Sequence, residues 1–254
     1  MQFIDIEDAI RRDGLRLILV AGTPSPWGQA AKAMMEYKGL DFACGPQLPG
    51  GANEALVAWA GINSGPVVAW NDEAPINRWD DILFLIERLG PQRPLLPEER
   101  SLRVRALGLS IELCGELGLG WNRRLALFQP PMQSSTPPEP VVNMARKYRY
   151  NEADVALADT RTVASLQLLA AELKAQQARG SDYFVGDSLT AVDFYWAAFC
   201  NLFDVPPDAI VPMAAGFRPM FEQMTSTVKA ALDPVLVAHR DRIMQAYFKI
   251  PMEM

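Results

Sequence analysis

Tyr183-Phe184-Val185-Gly186-Asp187-Ser188-Leu189-Thr190-Ala191-Val192-Asp193 reads as a tight turn running into the start of a helix. Thr190 is suited to accept from the backbone N–H of Asp193, and Asp193 to reach back to the N–H of Thr190. This is a reciprocal capping box with Asp in the place usually taken by Glu or Gln. The run behind the cap, Phe194-Tyr195-Trp196-Ala197-Ala198-Phe199, is apolar on almost every side. A helix of that kind has no face for water and belongs inside a core.

The segments around this helix share its character. From Glu98 onward the pattern is helical almost throughout. Expected helices are Glu98 to Gly118, part of one at Val141 to Tyr150, and Asp154 to Arg179 with Val163, Leu166, Leu169, Ala170 and Leu173 inward. Two more follow, near Phe217 to Leu232 and Pro234 to Phe248. One proline-rich stretch interrupts them, Gln129-Pro130-Pro131-Met132-Gln133-Ser134-Ser135-Thr136-Pro137-Pro138-Glu139-Pro140. It is expected to be non-helical, as an extended surface loop or a mobile lid.

Upstream the pattern changes. Leu15 to Ala21 is a short apolar run between Gly14 and Gly22, a buried strand. Ser25 suits a helix N-cap and Pro26 its first turn. Ala30, Met34 and Tyr37 share a face, and Gly39 ends the helix. A second strand is expected around Asp41 to Ala43, then a Pro- and Gly-rich loop from Gly45 to Gly51 and a short helix near Glu54 to Ala60. Val67 to Trp70, after Gly65-Pro66, is a third strand. Asn71-Asp72-Glu73 signals a turn, so a hairpin partner is expected near Ala74 to Asn77. Ile82, Leu85, Ile86 and Leu89 return to helical spacing. The order matches a thioredoxin-like domain. Gly90 to Pro97 holds three prolines in eight residues and reads as a linker. The expected fold class is an α/β thioredoxin-like N-terminal domain plus an all-α C-terminal domain, divided as 1–90, linker 91–97 and 98–254.

Composition narrows the function. At 254 residues, half hydrophobic and about a fifth charged, the chain has the balance of a soluble globular protein. A net charge of -6 with no basic run argues against a nucleic-acid partner. No apolar segment is long enough to span a bilayer, and the start lacks the order of a signal peptide, so no membrane partner and a cytoplasmic location are expected. Cys44, Cys114 and Cys200 form no CxxC, and Cys200 reads as a small core filler. His239 is the sole histidine, so no His-based metal site is encoded and a Ser-His-Asp triad would have to use it. Beside Arg240 and Arg242 it is expected to be a solvated helix residue.

Several of these features agree in order and distance: the strand–loop–helix with Ser25-Pro26-Trp27-Gly28, Lys38-Gly39-Leu40 at the helix end, Gly65-Pro66 before a hairpin, the linker, and Gly186…Thr190…Asp193. Together they resemble the cytosolic glutathione transferase superfamily over most of the chain. The resemblance implies a thioredoxin-like domain that binds glutathione as co-substrate, without a metal. It also implies a helical domain that receives a small hydrophobic electrophile, and a homodimer. Ser25 sits where serine- and cysteine-type classes place their active-site turn, and so is the expected catalytic residue, a hydroxyl donor to the glutathione sulfur. Trp27 belongs to the same turn. Pro66 matches the family's proline before the hairpin strand, usually cis, with Gly65 facing the cysteinyl part of glutathione.

Two departures stand out. The family's Glu/Gln-Ser pair, which holds the γ-glutamyl end, is replaced by Arg78-Trp79. Arg78 suits a carboxylate of the tripeptide, while Trp79 is bulky enough to fill the space. Serine in place of cysteine argues against mixed-disulfide chemistry and favours conjugation, isomerisation or a peroxidase-like use of glutathione. In the helical domain, Trp121, Arg123, Arg124 and Phe128 fall where the family builds its electrophile pocket. Trp121, Arg124 and Phe128 are the expected lining, with Met144, Arg146, Tyr148 and Tyr150 as further candidates. Two other readings remain open: a non-catalytic binding protein of this fold, and an enzyme of this fold using another small thiol.

Overall fold

A computed structural model describes residues 3–213 and 216–254. They group into two compact units, 3–95 with 206–213 and 243–254, and 96–205 with 216–242. The grouping does not follow chain order. Residues 206–213 and 243–254, read from sequence as part of the helical domain, belong with the sheet.

The first unit opens with a helix the sequence reading did not anticipate, α1 (Ile6–Arg11). Its signals are present: the Asp5 carboxylate accepts from Glu7 N–H at 2.9 Å, Glu7 and Asp8 lie in the first turn, and Arg11 in the last. The sheet has the order β2-β1-β3. β1 (Leu15–Val20) is central and almost wholly buried. β2 (Phe42–Gln47) pairs with it in parallel, from Leu15 opposite Phe42 to Val20 opposite Gln47. The crossover a parallel pair requires is α2 (Pro26–Tyr37). β3 (Val67–Trp70) pairs antiparallel on the other side.

Two expectations about the sheet are corrected. The stretch from Gly45 was expected to be loop, yet β2 runs on to Gln47. A Cβ on Gly45 would lie 2.9 Å from Ala9 and 3.0 Å from Ile18, so the glycine lets α1 close on the sheet. Pro46 is tolerated because β2 is an edge strand. The hairpin partner at 74–77 is reduced to one bridge, with Val68 and Ile76 exchanging two bonds of 2.8 Å. Pro75 has no N–H to donate, and the helix at Trp79 leaves no room for a second pair.

Two more helices complete this unit: α3 (Glu54–Ala60), as expected, and α4 (Trp79–Leu89). Ala9, Ile18, Leu56 and Val67 form one core cluster, with Trp59 and Ile62 packed on it. Buried Lys38 follows α2, and its ammonium reaches Glu87 at 2.6 Å and the carbonyls of Gly90 and Arg93 at 2.8 and 2.7 Å. The C-terminal residues bind in similar ways. Met252 N–H donates to Ile210 at 2.8 Å, and the buried Lys32 ammonium sits 2.9 Å from both Glu36 and Glu253.

The second unit is helical: α5 (Arg100–Cys114), α6 (Leu119–Met132), α7 (Glu139–Lys147), α8 (Glu152–Gln177), α9 (Ala191–Phe199), α10 (Phe217–Glu222), α11 (Ser226–Ala231) and α12 (Pro234–Tyr247), the last ending among the residues of the first unit. The proline-rich stretch is corrected at both ends. α6 continues through Pro130 and Pro131 to Met132, and α7 starts at Glu139. The prolines fall in the last turn of α6, where Gln133 N–H still reaches Gln129 at 3.1 Å. Pro140 sits in the first turn of α7, a position that needs no N–H. The helix expected over Phe217 to Leu232 is two helices, because the Thr225 hydroxyl caps α11. Buried Arg123 takes the carbonyls of Phe221 at 2.8 Å and Gln223 at 2.6 Å across the break.

The capped helix is as buried as its sequence demands, since every residue of α9 is at most 2% exposed. The fully buried Asp193 carboxylate accepts from the N–H and hydroxyl of Thr190 at 2.8 and 2.9 Å and from Phe184 N–H at 3.1 Å. His239 was expected in solvent and is instead buried. Its Nε2 lies 3.0 Å from Asp193, its ring packs edge-on against Phe184, and its Nδ1 is 3.1 Å from Arg242. A guanidinium only donates, so Nδ1 accepts and the ring proton belongs on Nε2, facing the carboxylate.

Candidate functional site

β1 ends at Val20, and the chain turns through Gly22, with φ +70°, to reach Ser25. Ser25 is the N-cap of α2 in extended backbone, and Pro26 takes the first helical position. The Ser25 N–H donates to Thr23 at 2.8 Å, and its carbonyl accepts from Gln29 at 2.9 Å. Its side chain makes no capping hydrogen bond. The hydroxyl therefore stands at the positive end of a twelve-residue helix without serving that helix. No acidic residue lies in the first turn to offset the dipole.

Gly28 explains why the turn sits where it does. A Cβ there would lie 2.8 Å from Leu19 and 4.0 Å from Pro66. The missing side chain lets the first turn of α2 close onto β1 and brings it beside Pro66. Gly65 likewise approaches β1, where a Cβ would meet the Val20 nitrogen at 3.1 Å. The Gly65–Pro66 bond is cis. Pro66 is buried, while Trp27 and Gly65 are half-buried. The first turn of α2, which Ser25 and Trp27 open, thus comes up to Pro66 through Gly28.

Arg78 and Trp79 open α4, as its N-cap and first residue. Exposed Arg78 turns onto its own helix, 2.7 Å from Asp80 and 3.6 Å from Asp81. The bond to Asp80 raises the Arg78 pKa further above its ordinary value. A carboxylate arriving at Arg78 would compete with these two. Trp79 is half-buried.

In the helical unit, Trp121, Arg124 and Phe128 lie on one face of α6 and meet α7. The Trp121 ring stands 4.9 Å from that of Tyr148 and the Phe128 ring 5.6 Å from it, both tilted. Phe128 and Tyr148 are buried, whereas Trp121 and Arg124 are half-buried. The Arg124 guanidinium lies 5.5 Å over Phe221, and the Lys147 ammonium 5.5 Å over Tyr148. Lys147 is an exposed residue, and desolvation followed by the Arg124 charge pushes its pKa down to about 8. Burial raises the Tyr148 pKa, opposed by the charge and hydrogen bond of Arg124. Arg123, next along the chain, has a structural task. It holds the carbonyls of Leu202, Phe221 and Gln223, and burial lowers its pKa to about 10. Lys147 was not singled out from sequence, because a cation in the last turn of α7 reads as a partner of the helix dipole.

Other reactive groups are closed off. Burial pushes the Cys44 and Cys200 thiols up to about 12. Among the described residues no cluster of His, Cys, Asp and Glu has the makings of a metal site, and no helix is long and apolar enough to cross a membrane.

Residues 127–218 match the family described as glutathione S-transferase, C-terminal domain. A solved glutathione S-transferase of Methylobacterium radiotolerans, in complex with glutathione sulfonate, is similar over 94% of this chain and 96% of its own, at 18% identity and a TM-score of 0.64. This is the glutathione transferase fold. A second glutathione S-transferase, from Methylobacillus flagellatus with GSH bound, is similar over 95% of this chain and 100% of its own, at 12% identity and a TM-score of 0.65. Rice GST1 in complex with glutathione is similar over 92% and 89%, at 19% identity and a TM-score of 0.58. No curated protein sequence matches the chain. In glutathione transferase terms, the sheet-bearing unit is the thioredoxin-like part and the second unit the helical part.

Proposed function

We propose that the chain is a glutathione transferase in which Ser25 holds the sulfur of glutathione as a thiolate for attack on a small hydrophobic electrophile. The observation that carries this reading is the Ser25 hydroxyl at the start of α2, which makes no capping bond and opens the turn that packs near Pro66 through Gly28. A thiol is a poor nucleophile until ionised. Lowering its pKa by one unit takes about 1.4 kcal/mol of selective anion stabilisation. A hydrogen bond to a charged acceptor contributes about 1.5–3 kcal/mol, enough for one or two units, and the helix end adds to it. The thiol proton leaves to solvent. The thiolate then forms the carbon–sulfur bond as the electrophile's leaving group departs.

In this reading Trp27, Gly65 and Pro66 position the peptide, and Arg78 and Trp79 flank its γ-glutamyl end. Trp121, Arg124 and Phe128 bind the electrophile. No metal takes part. A cytoplasmic homodimer completes the proposal. On α5, Val104 and Ile111 lie two turns apart on one face and are 71% and 54% exposed, an apolar stripe suited to a second copy.

One observation favours the alternative of a non-catalytic binding protein: Arg78 is already engaged by Asp80 and Asp81. Retention on immobilised glutathione together with turnover of an activated aromatic halide supports the transferase. Failure of both, with no thermal shift on adding glutathione, supports the binding protein. A thermal shift with a different low-molecular-weight thiol points to an enzyme of this fold using that thiol.

A further inference from the structure

We propose that Arg124 and Lys147 form a binding site for the anionic group of a flat aromatic ligand, an aryl carboxylate, whose ring lies along Trp121. The two cations come from different helices, α6 and α7, and are each held over an aromatic ring. Arg124 Nε is buried and has no hydrogen-bond partner among the described residues. Guanidinium donors are rarely left this way, and a carboxylate oxygen is the acceptor their geometry suits. Lys147 lies close enough for the Arg124 charge to depress its proton affinity. Two like charges brought together in a partly dehydrated place are relieved by an anion between them.

The aromatic half of the site follows from helix geometry. Trp121, Arg124, Phe128 and Met132 are spaced at three, four and four residues, so they form one stripe along α6. Its first member, Trp121, is half-buried and leaves part of the indole to solvent. Its last, Met132, lines a cavity of about 410 Å³ with Gln129, Tyr150 and Val155. The stripe thus offers an indole, a cation and a cavity in succession, the combination a compound with one charged end and a planar apolar body would use.

This names the class of the second substrate, and in that role it rests on the glutathione-dependent reading. The binding itself does not, so the test runs first without glutathione. Binding of 2-naphthoate and of its neutral counterpart 2-naphthalenemethanol is measured by calorimetry and by quenching of tryptophan fluorescence. The expected result is at least about tenfold tighter binding of the naphthoate. Arg124→Gln removes that preference and Lys147→Gln reduces it. Arg179→Gln, an exposed control in the turn after α8, leaves it intact, with far-ultraviolet circular dichroism confirming folding of each variant. Equal binding of the two compounds, no binding of either, or an Arg124→Gln variant that still prefers the anion overturns the assignment.

With glutathione present, 4-chloro-3-nitrobenzoate is expected to show a lower KM than 4-chloro-3-nitrobenzamide, the thiolate displacing chloride in each. Anion binding that persists where glutathione neither binds nor reacts refutes the transferase and leaves the anion site standing. Turnover of both halides at equal KM, with Arg124→Gln indifferent, refutes the anion site and leaves the transferase.

Discussion

Replacing Asp193 by alanine is expected to cost the protein much of its stability. The wild-type carboxylate is fully buried and accepts from two backbone N–H groups, those of Thr190 and Phe184, and from the Thr190 hydroxyl. It also faces Nε2 of His239. Alanine removes every acceptor at once and leaves the two N–H groups in a place water does not reach. Each orphaned buried donor costs about 1–3 kcal/mol, and the lost cap is already one of them. The two together cost about 2–6 kcal/mol. Against a usual total of about 5–15 kcal/mol, the upper end of that approaches global unfolding. Urea denaturation followed by circular dichroism measures it. At a slope of about 3 kcal/mol per molar, the midpoint is expected to fall by about 0.7–2 M with the slope unchanged. Asp193→Asn keeps one carbonyl acceptor and is expected to lose roughly half as much. A midpoint for Asp193→Ala within about 0.3 M of wild type would show that the buried network contributes little and refute the reasoning.

The remaining expectations are more local. Ser25→Ala should lower turnover by one to a few orders of magnitude. It should leave thermal stability nearly unchanged, because the side chain caps nothing; steady-state kinetics and a melting curve read the two separately. Lys32→Ala leaves the carboxylates of Glu36 and Glu253 with Lys249 as their remaining cation and should cost about 1.5–3 kcal/mol, read by urea denaturation. Cys44 and Cys200, held at about 12 by burial, should resist an aromatic disulfide reagent at pH 8 until the protein is unfolded. Lys147, pushed down to about 8, is charged below that pH and neutral above it. Naphthoate affinity should therefore fall as pH rises through 8 in wild type and stay flatter in Lys147→Gln, as followed by fluorescence titration.

Much of the architecture could be read from sequence because local chemistry and burial agree there. The run Leu15–Val20, the cap at Ser25 and the apolar helix behind Thr190 each carry a period and a punctuation mark. Where the reading fell short, the deciding contact is distant in sequence. β2 extends past Gly45 because α1 needs that glycine, and the break before Thr225 is held by Arg123, about a hundred residues away. His239 next to two arginines looks like a surface residue until Asp193 is placed beneath it. At the candidate site, the Ser25 turn with Gly65 and Pro66 was visible as motif. Arg78's engagement by Asp80, and the pairing of Lys147 with Arg124, depend on side-chain directions that no spacing encodes.

The placement of His239 has a chemical consequence for the whole protein. The chain has one imidazole, and both of its nitrogens face partners within the helical core. No ring is left over to shuttle protons for any reaction the chain performs. Ionisation of a bound thiol then has to rest on how well the product anion is solvated by the protein. For a neutral electrophile, whose binding does not call on Lys147, the acid side of the rate profile should follow the dissociation of the sulfur itself.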